Sequence, residues 1–375
     1  MIDLFNMKKI CLIRSNGILG DSRVRKYLDF YKNNNLTHSI LGWDRDGDNN
    51  QMPCTVFYYK KSGYNMGGFR AVKYRLLWFK FVLLSLKKIR PDFIHACDLD
   101  CAFPAALYKM IRPKTILVFD VFDWLSATLY NQNWLIRKAF VILEKFSISM
   151  SDHVIICEPE RRSQIPYSID AKCSILPNIP NINLESLYNN VTSFSNKKLT
   201  IGYVGAFYNE RFLKELFSIA KKGAINLLLA GYGDKSLEDE AHDLNRYDNV
   251  RYYGKVDYIM GMSILKASDV IYAMYCKSNP NNICAAPNKF YESLALGKPI
   301  ITTHGTSIGD KVENEAIGFS IEESIDELNI VIQTAIENKE LLVEMGARAQ
   351  KLWSKRYNNY VDTYLNSTYL DLLMK

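Results

Sequence analysis

Near-continuous apolar runs of strand length alternate along this chain with amphipathic stretches of helical period, and they do so in two separate series. The first series holds KKICLIR (Lys8–Arg14), HSILGW, CTVFYY, DFIHA, TILVF and HVIIC as strands. Between them lie SRVRKYLDFYKN, the basic stretch Arg70–Arg90, CAFPAALYKMI and Trp134–Met150 as helices, the first capped by Asp21 or Ser22. The second series reads LTIGYVG, INLLLAG, NVRYYG, DVIYAMY and PIITT as strands, interleaved with ERFLKELFSIAKK, YIMGMSILKA and PNKFYESLALG. A helical tail from Ser324 breaks near Asn338 and again around Tyr357. Strands apolar on both faces belong to parallel sheets covered by helices on both sides. Between the series, Leu176–Lys198 carries prolines, asparagines and serines without a period, which marks a linker. The expected fold class is α/β, with two doubly wound, Rossmann-like sheets facing a cleft. A chain of 375 residues is long enough for both cores.

Ligands of such sheets bind beyond the carboxyl ends of the strands. In the first half that rule selects Asn16, Gly17 and Gly20 after the first strand, and Asp120 and Asp123 after TILVF. In the second half it selects Gly205, then Gly231 and Gly233, and the loop from Lys277 to Asn288. A glycine after a strand lets backbone N–H groups approach a diphosphate closely. Carboxylates at Asp120 and Asp123 are suited to steady positive charge on a sugar ring or to bind hydroxyls, while one of the pair caps the next helix.

The segment Asn279–Ile301 concentrates such features. Pro287 suits a first helical turn, and Asn288 and Lys289 then stand at a helix N-terminus, where N–H groups and the dipole favour an anion. Glu292 follows Lys289 by three residues on the same face. A phosphate-attracting helix end with a carboxylate one turn on can hold a nucleotide, its ribose diol on the acid. An ordinary capped surface helix with an ion pair is the competing reading.

Other signatures are missing or weak. Neither GYVGAF nor GILGDS completes G-x-G-x-x-G, and no P-loop string occurs, which disfavours a nicotinamide dehydrogenase and a P-loop enzyme. Asp98-Leu-Asp100 and the run Asp44–Asp48 contain D-x-D strings, read as solvated loop acids. Eight scattered cysteines without a C-x-x-C pair indicate reduced, mostly buried thiols in a cytosolic protein. No metal is expected, His95 with Cys97 and Cys101 lacking a zinc spacing. A net charge of +7 suits anionic ligands or an anionic membrane surface but is too weak and dispersed for nucleic acid. No run reaches the ~18 apolar residues of a spanning helix. Arg70–Arg90 reads either as a core helix with snorkelling lysines or as a peripheral membrane contact.

Taken in order, several segments resemble the retaining GT-B glycosyltransferases of family four, of the capsule, O-antigen and exopolysaccharide type. GILGDSRVRKYLDFY is similar to that family's first loop and helix, PDFIHACD to its "pDvIHahd" strand, and ILPNIPN to its "vLPNgvd" hinge entry. NKFYESLALGKPII is similar to "x-K-x-x-E-y-m-A-x-G-k-P-V-I". The resemblance implies a first domain over residues 1–180 on the acceptor side, completed by a last helix 357–375. It implies a linker 181–198 and a nucleotide-sugar domain 199–356. It puts Glu292 on the ribose, Gly205 on the diphosphate, Asn288 and Lys289 near phosphate or sugar, and the Gly17 loop near the reaction centre. Three positions depart from the pattern. Cys284 stands where a glutamate is usual, eight before Glu292. Phe122 replaces a histidine, and the arginine expected soon after Gly205 is missing, with Arg211 as its nearest substitute.

The implied function is retaining transfer of a sugar from a UDP- or GDP-linked donor to a glycan or lipid-linked acceptor, in surface polysaccharide biosynthesis. It needs no cofactor beyond the donor and places the protein in the cytoplasm, at the inner face of the membrane. A nucleotide-sugar 2-epimerase and a catalytically inactive subunit that binds a partner are the alternatives.

Overall fold

The computed structural model describes residues 8–16, 18, 21–44, 56–58, 69–165, 167–180, 184–189, 191, 194 and 197–375. The chain divides into two compact units, residues 1–177 with 361–375, and residues 178–360.

The first unit is built on a seven-stranded sheet. Its strands are β1 (Ile10–Arg14), β2 (His38–Gly42), β3 (Val56–Tyr58), β4 (Phe93–Cys97), β5 (Ile116–Val121), β6 (His153–Ile156) and β7 (Cys173–Ile175), in the order β3-β2-β1-β4-β5-β6-β7. Every pair is parallel. Its helices are α1 (Ser22–Asn33), α2 (Phe69–Ile89), α3 (Leu99–Ile111), the short α4 (Leu125–Thr128) and α5 (Trp134–Met150). Asp21 is the N-cap of α1, its carboxylate accepting from the N–H groups of Arg23 and Val24. Trp78 of α2 stacks on Trp43 at 5.6 Å, and its indole N–H donates to the Asp100 carbonyl in α3. Strand order reverses between β1 and β4, which opens the crevice where ligands of open α/β sheets bind.

The second unit has six parallel strands: β8 (Thr200–Phe207), β9 (Asn226–Gly233), β10 (Val250–Tyr252), β11 (Val270–Ala273), β12 (Ile300–Thr303) and β13 (Gly318–Ile321), ordered β10-β9-β8-β11-β12-β13. Helices α6 (Leu213–Lys221), α7 (Lys235–Leu244), α8 (Tyr258–Lys266), α9 (Pro280–Ile283), α10 (Asn288–Leu296), α11 (Ser307–Glu315), α12 (Ile325–Glu337) and α13 (Lys339–Leu352) cover it. Leu187, within the expected linker, packs on Met262, Leu265 and Ile271. The tail breaks at Asn338, which caps α13, and loosens into a π-helical turn at Trp353–Tyr357. It then ends in α14 (Tyr360–Tyr364) and α15 (Leu370–Met374), joined by a second π-turn. Both π-turns, the short strands β7 and β13, and helices α7, α9 and α11 are additions to the elements expected from the sequence pattern, as is α4 in the expected loop after β5.

The last segment is bound into the first sheet by Tyr369, which is fully buried among Tyr27, Phe30, Phe93 and His95. Its hydroxyl meets His95 Nδ1 at 2.8 Å and also the Tyr31 hydroxyl. The described cysteines are free thiols, and Cys11, Cys97, Cys101, Cys157 and Cys276 are buried. Among the described residues no helix is long and apolar enough to cross a membrane.

Candidate functional site

In the second unit the sequence-selected residues converge on the carboxyl ends of β8 and β9. Gly205 and Gly231 face each other in register, both at positive φ. A side chain at Gly231 would place its Cβ 1.8 Å from the Gly205 carbonyl oxygen, so only glycine lets these strands approach. A Cβ at Gly205 would lie 2.5 Å from Lys289 Nζ. The ammonium therefore rests against bare backbone, 5.2 Å from the Tyr203 ring.

Lys289 comes from the first turn of α10. That helix begins at Asn288, with Pro287 in extended conformation at the N-cap rather than inside the first turn. A proline offers no side-chain cap, so the first turn presents Asn288 and Lys289 without one. At its other end Gly297 closes α10 in the left-handed conformation. Glu292, one turn along, is 7% exposed. Burial pushes its carboxyl up, while the charge of Lys289 and a hydrogen bond from the Tyr258 hydroxyl pull it back. A carboxylate kept buried beside a cation, at the cost of an elevated pKa, is a feature of sites rather than of surface helices.

Arg211 lies in a 3-10 turn after β8, its guanidinium 4.2 Å over the Tyr275 ring, and its buried Nη1 has no hydrogen-bond partner among the described residues. The Cys276 N–H donates to the Glu210 carbonyl at 2.9 Å, tying this turn to the loop after β11. Cys284 is the C-cap of α9 and half-buried. A cavity of about 210 Å³ opens beside Gly205 and Gly231, lined also by Tyr208, Tyr232, Lys255 and Val256. The Lys255 ammonium sits 4.8 Å from the exposed Tyr232 ring. Tyr203, Tyr232, Lys255, Tyr258 and Tyr275 were not singled out by motif. Tyr258, 34 positions from Glu292, becomes its partner only through packing of α8 against α10.

In the first unit Gly17 and Gly20 lie outside the described residues, as do Asp46 and Asp48. Asp120 is not a residue after the strand: β5 continues to Val121, and its carboxylate is 0% exposed. It is gripped by the Arg23 guanidinium at 2.6 Å, the Tyr27 hydroxyl at 2.9 Å and His95 Nε2 at 3.3 Å. Burial opposes its charge, but Arg23 and the hydrogen bonds from His95 and Arg23 prevail and hold the carboxyl well below the usual range. Burial likewise keeps His95 below its ordinary value and lowers the nearby Lys26 ammonium to about 7. The geometry of Asp120 is that of an internal anchor with no oxygen open to a sugar. Asp123 is half exposed and paired with Arg161 at 2.8 Å. Phe122 lies under two guanidinium groups, Arg14 at 4.1 Å and Arg23 at 5.1 Å.

The D-x-D at Asp98 is no solvated loop. Asp98 holds φ +65°, a conformation costly for a side-chain-bearing residue, at the N-cap of α3. Its carboxylate accepts from the Phe122 N–H at 2.9 Å and pairs with Arg14, and burial nonetheless raises it to about 6. Asp100 and Asp44 are buried as well. Arg14, Arg75, Asp98, Asp100 and Asp123 line a polar cavity of about 140 Å³ at the β1–β4 crevice. Among the described residues, His95, Cys97 and Asp120 bring ligand atoms close enough for a metal ion, but the Arg23 charge on Asp120 opposes a cation there.

Solved structures share this architecture along the whole chain. Sucrose-phosphate synthase from Thermosynechococcus elongatus superposes with a TM-score of 0.72 at 16% identity, over 97% of this chain and 99% of that one. A structure of trehalose-6-phosphate from E. coli bound with UDP-2-fluoro glucose gives 0.69 at 12% identity, covering 97% and 99%. UDP-GlcNAc 2-epimerase from Neisseria meningitidis, bound to UDP-GlcNAc, gives 0.63 at 11%, covering 96% and 100%. The fold is GT-B. Within the GT-B chain, residues 186–352 match the family model described as glycosyl transferases group 1. That match contains Gly205, Arg211, Gly231, Asn288, Lys289 and Glu292. No curated protein sequence matches the chain.

Proposed function

We propose that this protein transfers a sugar, with retention, from a nucleoside-diphosphate sugar to a hydroxyl of a glycan or lipid-linked acceptor, in surface polysaccharide assembly at the cytoplasmic face of the membrane. The observation that carries the reading is the buried Glu292 carboxylate behind Lys289, whose ammonium rests on Gly205 at the edge of β8. Glu292 accepts the ribose hydroxyls. Lys289, Arg211 and the first-turn N–H groups of α10 hold the diphosphate, which fits the unpartnered Nη1 of Arg211. Gly205 and Gly231 border the cavity with backbone, against which the diphosphate is held, and its Tyr232–Lys255 side receives the base.

In the transfer, the bond from the anomeric carbon to the leaving phosphate oxygen breaks while the acceptor oxygen bonds to that carbon. The departing phosphate oxygen takes the acceptor proton, so the protein supplies no base. Its contribution is electrostatic: fixed cations and N–H groups meet the charge that develops on the diphosphate.

Incubation with a panel of nucleotide sugars, with and without a lipid-linked glycan acceptor, followed by mass spectrometry, tests this. The expected result is an acceptor one sugar heavier, formed equally well in EDTA, with an α-linkage from an α-donor. An isomerised donor in the absence of acceptor would point to a 2-epimerase, and no turnover together with no nucleotide binding would point to an inactive, partner-binding subunit.

A further inference from the structure

We infer that the polar cavity at the β1–β4 crevice seats an uncharged sugar, the end of the acceptor, held through its hydroxyls by Asp100 and Arg14. Calling that sugar an acceptor rests on the proposed transfer; the cavity and its selectivity stand on geometry and charge.

Asp100 is the residue that marks a ligand site. It stands in the first turn of α3, is 8% exposed and lines the cavity. Its backbone is fixed, because its carbonyl accepts from the Trp78 indole N–H at 3.0 Å. Its carboxylate has no hydrogen bond or ion pair among the described residues. Burying a carboxylate without a partner is costly, and buried polar groups that serve structure are bonded. The other acids of the cavity are bonded. Asp98 accepts from the N–H groups of Phe122 and Asp123 at 2.9 and 3.4 Å and pairs with Arg14, and Asp123 pairs with Arg161 at 2.8 Å. Of the D-x-D string, Asp100 alone is left open to a ligand.

Arg14 supplies the complementary donors. Its Nε is on Asp21 at 2.9 Å and its Nη1 on Asp98, while its Nη2 meets no acceptor among the described residues. The guanidinium lies 4.1 Å over the Phe122 ring, which fixes its plane. A carboxylate only accepts and a guanidinium only donates. A hydroxyl does both, so neighbouring sugar hydroxyls can donate to Asp100 and accept from Arg14 at once.

Charge excludes other ligands. Two arginines face three aspartates across the cavity, and Arg14 already serves two carboxylates, Asp98 and Asp21. A phosphate or a uronic acid would bring a further anion against Asp100. A divalent cation takes about six oxygens or more, whereas the cavity offers one open carboxylate beside two guanidinium groups. Its volume of about 140 Å³ admits one ring at the end of a chain. The acceptor so described is the neutral end of a glycan already begun, which an earlier sugar transfer must supply, rather than a lipid phosphate.

The test is saturation-transfer NMR of the full chain, without donor, against methyl glycosides of neutral hexoses and N-acetylhexosamines, their 6-phosphates and a methyl glucuronide. Saturable binding of at least one neutral glycoside is expected, with its anionic counterparts at least about ten-fold weaker. Asp100→Asn should weaken the neutral glycoside at least about ten-fold, while circular dichroism and nucleotide binding stay those of the parent. The ordering by charge is read on the parent protein, so it holds as a test even where the variant does not fold. Anionic glycosides that bind as tightly as neutral ones, no binding of any glycoside, or a folded Asp100→Asn protein that binds like the parent would overturn the proposal. So would displacement of the glycoside by magnesium. In turnover, Asp100→Asn should raise the acceptor KM about ten-fold at an unchanged donor KM. A protein that binds neutral glycosides through Asp100 but neither binds nucleotide nor turns over keeps the site and loses the transfer. One that transfers sugar with an acceptor KM indifferent to Asp100→Asn keeps the transfer and loses the site.

Discussion

At the scale of single residues, Glu292 and Asp120 are both buried carboxylates, yet their environments drive them in opposite directions. Asp120 has the Arg23 guanidinium on it, and its carboxyl is held down despite burial. Glu292 has Lys289 and the Tyr258 hydroxyl but is held up, because desolvation prevails. For a group held up, the charged form costs stability. Glu292→Gln is therefore expected to leave the thermal midpoint unchanged or raise it while weakening nucleotide binding by about 10–100-fold; a midpoint several degrees lower would show that the carboxylate is a structural group. For Asp120 the sign is reversed. Its stabilisation is full above the unfolded carboxylate value of about 3.9 and is lost as pH falls through the lower folded value. His95, kept neutral by burial, adds a loss that begins as pH falls below about 6.5. Melting temperatures should decline gently below that pH and steeply below about 4. Asp120→Asn should cost about 3–5 kcal/mol at neutral pH by stranding Arg23, and should flatten the steep acid limb.

At the scale of elements, what the sequence made legible follows from how local each signal is. The β8 glycine, the α10 entry and the Lys289–Glu292 spacing lie within single segments, and the structure brings them together around Lys289 Nζ. Asp120 was misplaced because FDVFDW looks like a loop after an apolar run, whereas the strand runs on to Val121 and turns Asp120 into the sheet. No local pattern announces that Arg23, Tyr27 and His95 await it there. The acids of D-x-D read as solvated because polarity was taken as exposure, while Asp98 is occupied by Arg14 and two backbone N–H groups. The tail shows the same dependence on long-range packing. Its two π-turns have no sequence signature, yet Tyr369 meets residues of α1 and β4. Removing that ring by Tyr369→Ala should cost about 3–5 kcal/mol in chemical denaturation. A cost under about 1 kcal/mol would show that the tail is only loosely held.

At the scale of the whole molecule, alternation of apolar strands and amphipathic helices carried the architecture, because parallel sheets buried on both faces leave that pattern wherever they occur. The same alternation is shared by dehydrogenases, epimerases and transferases, so fold alone does not choose a chemistry. The choice rests on the constellation around Gly205, Lys289 and Glu292. Calorimetric titration of the intact protein with UDP, GDP and ADP addresses it most directly. The expected result is saturable binding of at least one of the three, with Glu292→Ala weakening it by at least about ten-fold, as loss of a charge-assisted hydrogen bond requires. Absence of binding to all three, or a Glu292→Ala protein that binds as tightly as its parent, would contradict a nucleotide-sugar site in the second unit.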